Sequence, residues 1–318
     1  MDRNLALEVV RVTEAAALAS ARLMGRGDAL AVDRQAAEAM RRAFDAISVG
    51  GRVVVGEGRE GEVDHLFVGE EIGAKGAGIE IDVAVDAIEG ATVCATGAAN
   101  ALSIILITEP GAMLECPEGV YMEKLAVGPS GCGVVSLDRT PTENLQALAA
   151  AKGVRVKDLT AVVLDRPRHA NLIDELRDAD ARVQLLADGD LAAAIATAQP
   201  DSGIDLLMGI GGAQQGLLAA GALGGLGGQF LGRFRPLSSD EASRLDSAGI
   251  EVGRSYEASQ LVGENVMFAA TGVTGGHLLS GVRFFGGGAV TNSVVVRSRS
   301  RTVRWIQAQH HFEHEPEY

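Results

Sequence analysis

The chain is short of aromatic residues, cations, prolines and cysteines. Phe, Trp and Tyr make up 4% of its 318 residues, so a core drawn from the 47% hydrophobic content must be built mainly of Ala, Val, Leu and Ile. Lys and Arg number 28 against 42 Asp and Glu, a formal charge of −14. That deficit argues against nucleic acid as a partner, because phosphate backbones are bound by clustered cations, and against anionic membrane surfaces. Small phosphate-bearing molecules stay open as ligands if divalent cations supply the missing charge. Cys94, Cys116 and Cys132 are odd in number and lack metal-ligand spacing, as expected of reduced thiols in a cytoplasmic protein. No uninterrupted apolar run reaches ~18 residues, so no helical membrane span is expected. The start, MDRNLALEVVRVTEAA, is an amphipathic charged helix rather than the apolar block of a signal peptide. A soluble cytoplasmic protein follows as the expectation.

What is abundant is glycine, at 41 residues, which suits close packing of helices on sheets and tight strand-to-helix turns. Residues 3–23 carry apolar side chains at near-helical spacing, and GRGDALAVD reads as a loop before a second helix opened by Asp33. RVVVGEG (52–58) reads as a buried strand stopped by glycines. IEIDVAVD (79–86) alternates strictly, with Glu80, Asp82 and Asp86 on one face and Ile81, Val83 and Val85 on the other. ALSIILIT (101–108) is a further strand. Then TAVVLD, RVQLLA and IDLLMG alternate with helices over 160–209, the pattern of parallel crossover units. GALGGLGGQFLGRF (221–234) follows a helix and is expected to pack. NSVVVRSRSRTVRWIQ (292–307) reads as one late strand with Arg297, Arg299 and Arg301 on a single face, and HHFEHEPEY as a frayed tail. No internal repeat or long linker occurs. The expected organisation is one two-lobed unit over 1–318: a metal-site lobe of 1–159 plus 262–318, and a substrate-side α/β lobe of 160–261.

Acids near the ends of separate strands carry the strongest chemical signal. Glu57 lies inside GEG, Asp86 ends a strand, and Glu89 reaches back from the following turn. Hard cations such as Mg²⁺ and Mn²⁺ want several carboxylate oxygens together. Each acid also has a plain structural role, Glu57 as a solvated turn acid and Asp86 as a helix cap. Asp33, at the start of a helix, reads as a cap before it reads as a ligand. In RPRH (166–169), Arg166 and Arg168 suit a phosphate at a helix start, or ordinary surface ion pairs. DGD (188–190) presents Asp188 and Asp190 to sugar hydroxyls or caps the next helix. Tyr121 and Lys124 in YMEKL contact a substrate or simply pack and snorkel. GIGGAQQG (209–216) lacks the dinucleotide fingerprint, since Gln214 stands where glycine is needed. The Arg297–Arg304 run reads as an ion-paired strand face rather than a nucleic-acid stripe, given the overall acidity. His310, His311 and His314 read as tail residues or a stray metal site.

Taken together, RVTEAAALA, MGRGD, VVVGEG, DVAVDAIEG, YMEKLAVGP, LDRPRH, ADGD, GIGGA, FAATGVT and SRTVRWIQ resemble, in order and over nearly the full length, the class II fructose-1,6-bisphosphatases. That family sits in the wider superfamily that includes inositol monophosphatases. The resemblance implies a layered α-β-α-β-α sandwich, assembly as a homodimer or homotetramer, and Mg²⁺- or Mn²⁺-dependent hydrolysis of the 1-phosphate of fructose 1,6-bisphosphate. Some members also take sedoheptulose 1,7-bisphosphate. It further implies Asp33, Glu57, Asp86 and Glu89 as metal ligands, with Gln215 aligned to a metal-binding glutamate. Tyr121, Arg166, Arg168, Asp188, Asp190 and Gly211 match the region holding the sugar and distal phosphate. Glu57, Asp86 and Glu89 thereby fall at the reacting phosphate.

The departures are concentrated there. The family's water-orienting threonine is Ala91, with Thr92 one place late and rotated by about 100° on a helical turn. The motif's proline is Ala87, the glutamate is Gln215, the lysine after GRGD is Ala29, and Arg59 and Gly61 replace acids beyond GEG. An amide oxygen at Gln215 brings no negative charge to a hard cation. Three readings follow: a sugar-phosphate phosphatase, with altered substrate or weakened hydrolysis; a different sugar-phosphate reaction, such as isomerisation or cyclisation, on the same scaffold; or a non-catalytic subunit paired with an active relative.

Overall fold

Glycine and polar punctuation cut the chain into short elements, which the computed structural model describes over residues 5–74 and 79–312. The chain divides into two compact units, Met1–Met113 with Glu264–Tyr318, and Leu114–Gly263. The first unit opens with α1 (Leu5–Ala21), α2 (Ala29–Asp45), β1 (Gly50–Val55), β2 (Glu71–Ile72), β3 (Glu80–Glu89), α3 (Ala91–Thr96) and β4 (Leu102–Thr108). The second runs through β5 (Tyr121–Val127), α4 (Pro141–Lys152), β6 (Thr160–Leu164), α5 (Ala170–Asp178), β7 (Arg182–Leu186), α6 (Asp190–Ala196), β8 (Leu206–Gly212), α7 (Ala213–Leu226), β9 (Gln229–Phe234), α8 (Ser239–Ser247), β10 (Ser255–Glu257) and α9 (Ala258–Val262). The chain then returns to the first with β11 (Met267–Gly272), β12 (Arg283–Phe285), β13 (Gly288–Arg297) and β14 (Thr302–His311). Residues 114–159, placed with the first lobe by the sequence reading, fall in the second unit because β5 pairs with β8 on one side and β9 on the other.

Each unit is built on a mixed sheet, so the fold is mixed α/β. The first sheet runs β12-β13-β11-β4-β3-β1-β2, with β14 on β13. Within it β1 and β3 are parallel and the remaining pairs antiparallel. Its core is aliphatic: Ile81, Val83 and Val85 of β3 pack with Val9, Val12 and Ala16 of α1 and Val32, Ala36, Met40 and Phe44 of α2. The alternation expected for β3 is therefore present. The second sheet runs β10-β9-β5-β8-β6-β7. In it β6 is parallel to both β7 and β8, as the strand–helix alternation predicts. No helix among the described residues is long and apolar enough to cross a membrane.

Three local expectations are corrected. Asp33 does not open α2: the cap is Asp28, whose carboxylate accepts the Ala31 N–H at 3.0 Å, and Asp33 lies further along the helix. The 292–307 stretch belongs to two strands, not one. A turn over Ser298–Ser300 and a left-handed Arg301 (φ +46°) fold β14 back along β13. His310 and His311 lie in β14 instead of a frayed end, while His314 lies outside the described residues. His310 Nε2 is 2.9 Å from Thr291 Oγ1, which also donates to buried Glu14 Oε1 at 2.9 Å. Burial holds the Glu14 carboxyl above its ordinary range and His310 below its own. The glycine-rich 221–234 stretch packs as expected, completing α7 and forming β9.

Candidate functional site

In the first unit the acids are placed by two irregular strands. β1 carries one extra residue between Val53 and Val55 relative to β3, and β3 one extra between Asp86 and Glu89 relative to β4. Strand side chains alternate, so residues three apart ordinarily face opposite ways. The bulge in β3 cancels that: Asp86 pairs with Ile104 and Glu89 with Leu102, which puts both acids on one side. Glu57, just past β1, accepts the Ala87 N–H on Oε1 at 2.6 Å, and Ala87 lies inside the β3 bulge. Glu89 is buried and Asp86 half-buried.

The electrostatics tie three of these acids together. Burial pushes the Glu57 carboxyl up to about 8, and the negative charges of Asp86 and Asp33 push in the same direction against the Ala87 hydrogen bond. Burial alone lifts Asp33 to about 6. Both Asp33 and Glu57 line a cleft of about 500 Å³, with Asp28, Arg34, Asp64 and His65 on the same wall. Among the described residues no three or more His, Cys, Asp or Glu side chains form a ready-made metal cluster. The donors nonetheless fit a hard divalent cation. They are carboxylates, and their mutual repulsion is the penalty that a cation removes.

The hydroxyl position is equally clear. After Gly90, Ala91 begins α3 and packs half-buried against the first unit's hydrophobic cluster. Thr92 is exposed.

In the second unit the candidate residues gather at the ends of β5, β6, β7 and β8. Arg168 lies 5.2 Å from the Tyr121 ring centroid and donates Nε and Nη2 to the Ile210 carbonyl at 3.0 and 2.7 Å. Arg166 donates to the Ala187 carbonyl at 2.6 Å and faces Asp188 at 3.6 Å, both side chains being substantially exposed. Asp190 differs: it is buried with Lys124, whose Nζ meets its two oxygens at 3.0 and 2.7 Å. Lys124 is thus a buried ion-pair partner, not a snorkelling surface lysine. A Cβ at Gly211 would collide with Asp190 Oδ2, so any larger residue there would have to displace the buried Asp190–Lys124 pair. Gln215, in the first turn of α7, folds its amide oxygen over Gly212, where a Cβ would lie 2.2 Å away.

The Lys124–Asp190 pair carries a stability prediction. Lys124→Met leaves a buried carboxylate without its cation and is expected to destabilise the fold by about 3–5 kcal/mol. Arg166→Met breaks an exposed pair and is expected to cost under ~1 kcal/mol. Urea unfolding of the two variants checks both.

Comparison with known proteins decides the family. A family model described as "Bacterial fructose-1,6-bisphosphatase, glpX-encoded" matches residues 3–310. The chain belongs to this family. A protein of Synechococcus sp. (strain JA-3-3Ab), named D-fructose 1,6-bisphosphatase class 2/sedoheptulose 1,7-bisphosphatase, is 42% identical over 335 residues, covering 98% of this chain and 96% of its own. One of the same name from Synechococcus elongatus is 41% identical over 338 residues, covering 98% of each. Both names denote phosphoric monoester hydrolases.

For a member of the glpX-encoded family, the acid-bearing turns are legible as motifs, whereas other neighbours are not. Asp64 and His65 join the cleft because the Gly58–Phe67 loop closes on itself: Glu57 N–H donates to Leu66 O at 3.0 Å and Val68 N–H to Gly58 O at 2.9 Å. Buried Leu66, in the left-handed region at φ +59°, pins it. Nothing in the isolated string VDHLF signals that closure.

Proposed function

We propose that this protein is a divalent-metal-dependent sugar-bisphosphate phosphatase, acting on fructose 1,6-bisphosphate or a close relative such as sedoheptulose 1,7-bisphosphate. The observation that carries this reading is the gathering of acids in one unit of a chain of this family: Glu57 bonded to the Ala87 N–H inside the β3 bulge that sets Asp86 and Glu89 on one side, and Asp33 lining the same cleft as Glu57. Acids forced together against their own repulsion suit a cation-holding role. Asp33, Glu57, Asp86 and Glu89 are the proposed donors of the first unit, for Mg²⁺ or Mn²⁺, and the Ala87 N–H fixes the direction of Glu57 Oε1. Gln215 is proposed to contribute an uncharged oxygen to metal binding. When bound, a divalent cation neutralises phosphate oxygens and lowers the pKa of water.

The second unit's part is recognition. Arg166 and Arg168 offer guanidinium forks to a phosphate, Tyr121 and Gly211 shape the sugar's surroundings, and Asp188 offers oxygens to hydroxyls. Asp190 acts through Lys124 and Gly211. Ala91 supplies no hydroxyl to orient water, so turnover is expected to be slow, and Thr92 is the remaining hydroxyl on that turn. Two mixed sheets with their helices suit the layered sandwich of the sugar-phosphatase superfamily, and a homo-oligomer would cover exposed Trp305, Phe284 and Phe285.

The test is phosphate release from a sugar-phosphate panel with Mg²⁺ or Mn²⁺, followed by ³¹P NMR. Inorganic phosphate supports hydrolysis. A rearranged sugar with its phosphate intact would point to isomerisation or cyclisation instead, and silence across the panel to a non-catalytic role.

Proton release gives a second, activity-free check. Around pH 7 a Glu57 carboxyl near 8 carries a proton, and an Asp33 carboxyl near 6 carries one part of the time. Manganese binding is therefore expected to expel protons into a weakly buffered solution and to weaken as pH falls through those values. Calorimetry in buffers of different ionisation enthalpy measures it; uptake with no proton released would contradict the assignment.

A further inference from the structure

His169 in the second unit is almost fully buried at 2% exposure, yet the chemistry above leaves it idle. Both of its ring nitrogens are engaged. The Ile210 backbone N–H donates to Nε2 at 2.7 Å, and Nδ1 lies 2.7 Å from the Leu164 carbonyl. A ring nitrogen that accepts from a backbone amide holds no proton, so the ring is neutral and its one proton sits on Nδ1, donated to Leu164.

The preceding side chain completes the grip. Arg168 donates twice to the Ile210 carbonyl, so consecutive residues satisfy both the N–H and the C=O of Ile210. Those groups need partners because β6 pairs with β8 only at Leu206 and Leu207, through Ala161 and Val162. Beyond Leu207 that edge of β8 has no strand beside it among the described residues, and side chains take the strand's place. The flanking glycines abut the two buried side chains on either side, Gly209 the His169 ring and Gly211 the Asp190 carboxylate. A Cβ at Gly209 (φ +142°) would lie 3.1 Å from His169 Nε2, and one at Gly211 would lie 2.3 Å from Asp190 Oδ2.

We propose that His169 is a positioning residue for sugar-phosphate binding: its neutral Nδ1–H form clamps the Ile210 backbone and thereby fixes Arg168 and Gly211. The role rests on the function proposed above, which assigns those two residues to the ligand. Protonation would turn Nε2 into a donor facing another donor and open the clamp. The charged groups facing the ring are Arg166 and Arg168 from its own turn and Asp190 from α6, itself paired with Lys124 of β5. Burial, and the two arginines against Asp190, keep the ring's pKa below its ordinary value, so the clamp stays closed at neutral pH.

The test uses fructose 6-phosphate as probe, titrated calorimetrically into the full chain. His169→Phe keeps the ring's bulk without an acceptor and is expected to weaken binding about tenfold, with KM for fructose 1,6-bisphosphate rising in step and kcat little changed. His169→Gln can still accept from Ile210 and is expected to stay within about threefold. It should also lose part of the acid-side weakening expected of the unaltered chain. Long-range ¹H–¹⁵N spectra of the unaltered protein should show the Nδ1–H form, which decides the clamp even if the Phe variant fails to fold. An Nε2–H form, or unchanged affinity in a folded Phe variant, overturns the inference and leaves the phosphatase reading standing. No probe binding and no phosphate release by the unaltered chain would overturn both.

Discussion

Glu57→Gln is expected to cut phosphate release by roughly 10²–10³ while raising the thermal midpoint of the metal-free protein at pH 8. Both effects have one origin. The carboxylate proposed to hold a cation is, without one, a charge crowded by Asp86 and Asp33 in a poorly hydrated turn. A carboxyl lifted from 4.5 to about 8 keeps its proton in the fold and loses it in the unfolded chain between those values. Metal-free stability therefore falls as pH rises through that window, the folded state holding more protons than the unfolded one. Gln carries no charge at any pH, so the variant escapes this loss and should melt a few degrees higher at pH 8, each kcal/mol being worth about 2–4 °C. At pH 4, below both values, the two proteins should melt alike. Saturating Mn²⁺ should stabilise the unaltered protein more than the variant. Scanning calorimetry with and without metal reads all four conditions. An active variant that also melts lower at pH 8 would remove Glu57 from the proposed centre.

Ala91→Thr combined with Gln215→Glu is expected to raise kcat by about 10²–10⁴, the range of a positioned proton-handling group. Ala91 is half-buried at the start of α3 against the first unit's hydrophobic cluster, so the extra methyl has apolar company, and the added hydroxyl stands two residues beyond Glu89 in the chain. Exposed Thr92 does not offer its hydroxyl from that position, and Thr92→Ala should lower kcat by far less than Ala91→Thr raises it. Gln215→Glu alone should tighten Mn²⁺ binding with a smaller change in kcat, because it adds charge without a proton-handling group. Single-turnover kinetics of the three variants separates these contributions. If the double variant were no faster than the unaltered chain, the sequence departures would lie outside the rate-limiting step.

The motifs reveal the type of fold and much of the candidate site, for reasons specific to each. The β3 core pattern is readable because Ile81, Val83 and Val85 alternate with Asp82, Ala84 and Asp86, and strand alternation needs no tertiary information. The start of α2 is misread because two aspartates compete for the cap, and only geometry shows Asp28 accepting from Ala31. The β13–β14 hairpin escapes notice because its turn holds serine and arginine rather than glycine or proline, with Arg301 itself taking the left-handed conformation. Lys124 escapes for a different reason. A lysine on an apolar strand looks like a snorkelling side chain until α6 delivers Asp190 to it from far along the chain. The clefts and clamps are made by such long-range meetings, whereas the motifs report local chain geometry.

The added residue in β3 also sets a rule of counting. Asp86 and Glu89, three apart, share a side through the one residue by which β3 exceeds its partner between them; dropping a single amino acid at 87 or 88 would straighten the strand and restore its even rhythm. The two acids would then stand two apart and still share a side, but Ala87, whose amide steers Glu57, would lose its present offset. The shared side of the two acids is thus robust to shortening, and the part held hostage to strand length is the aim of the third carboxylate, Glu57.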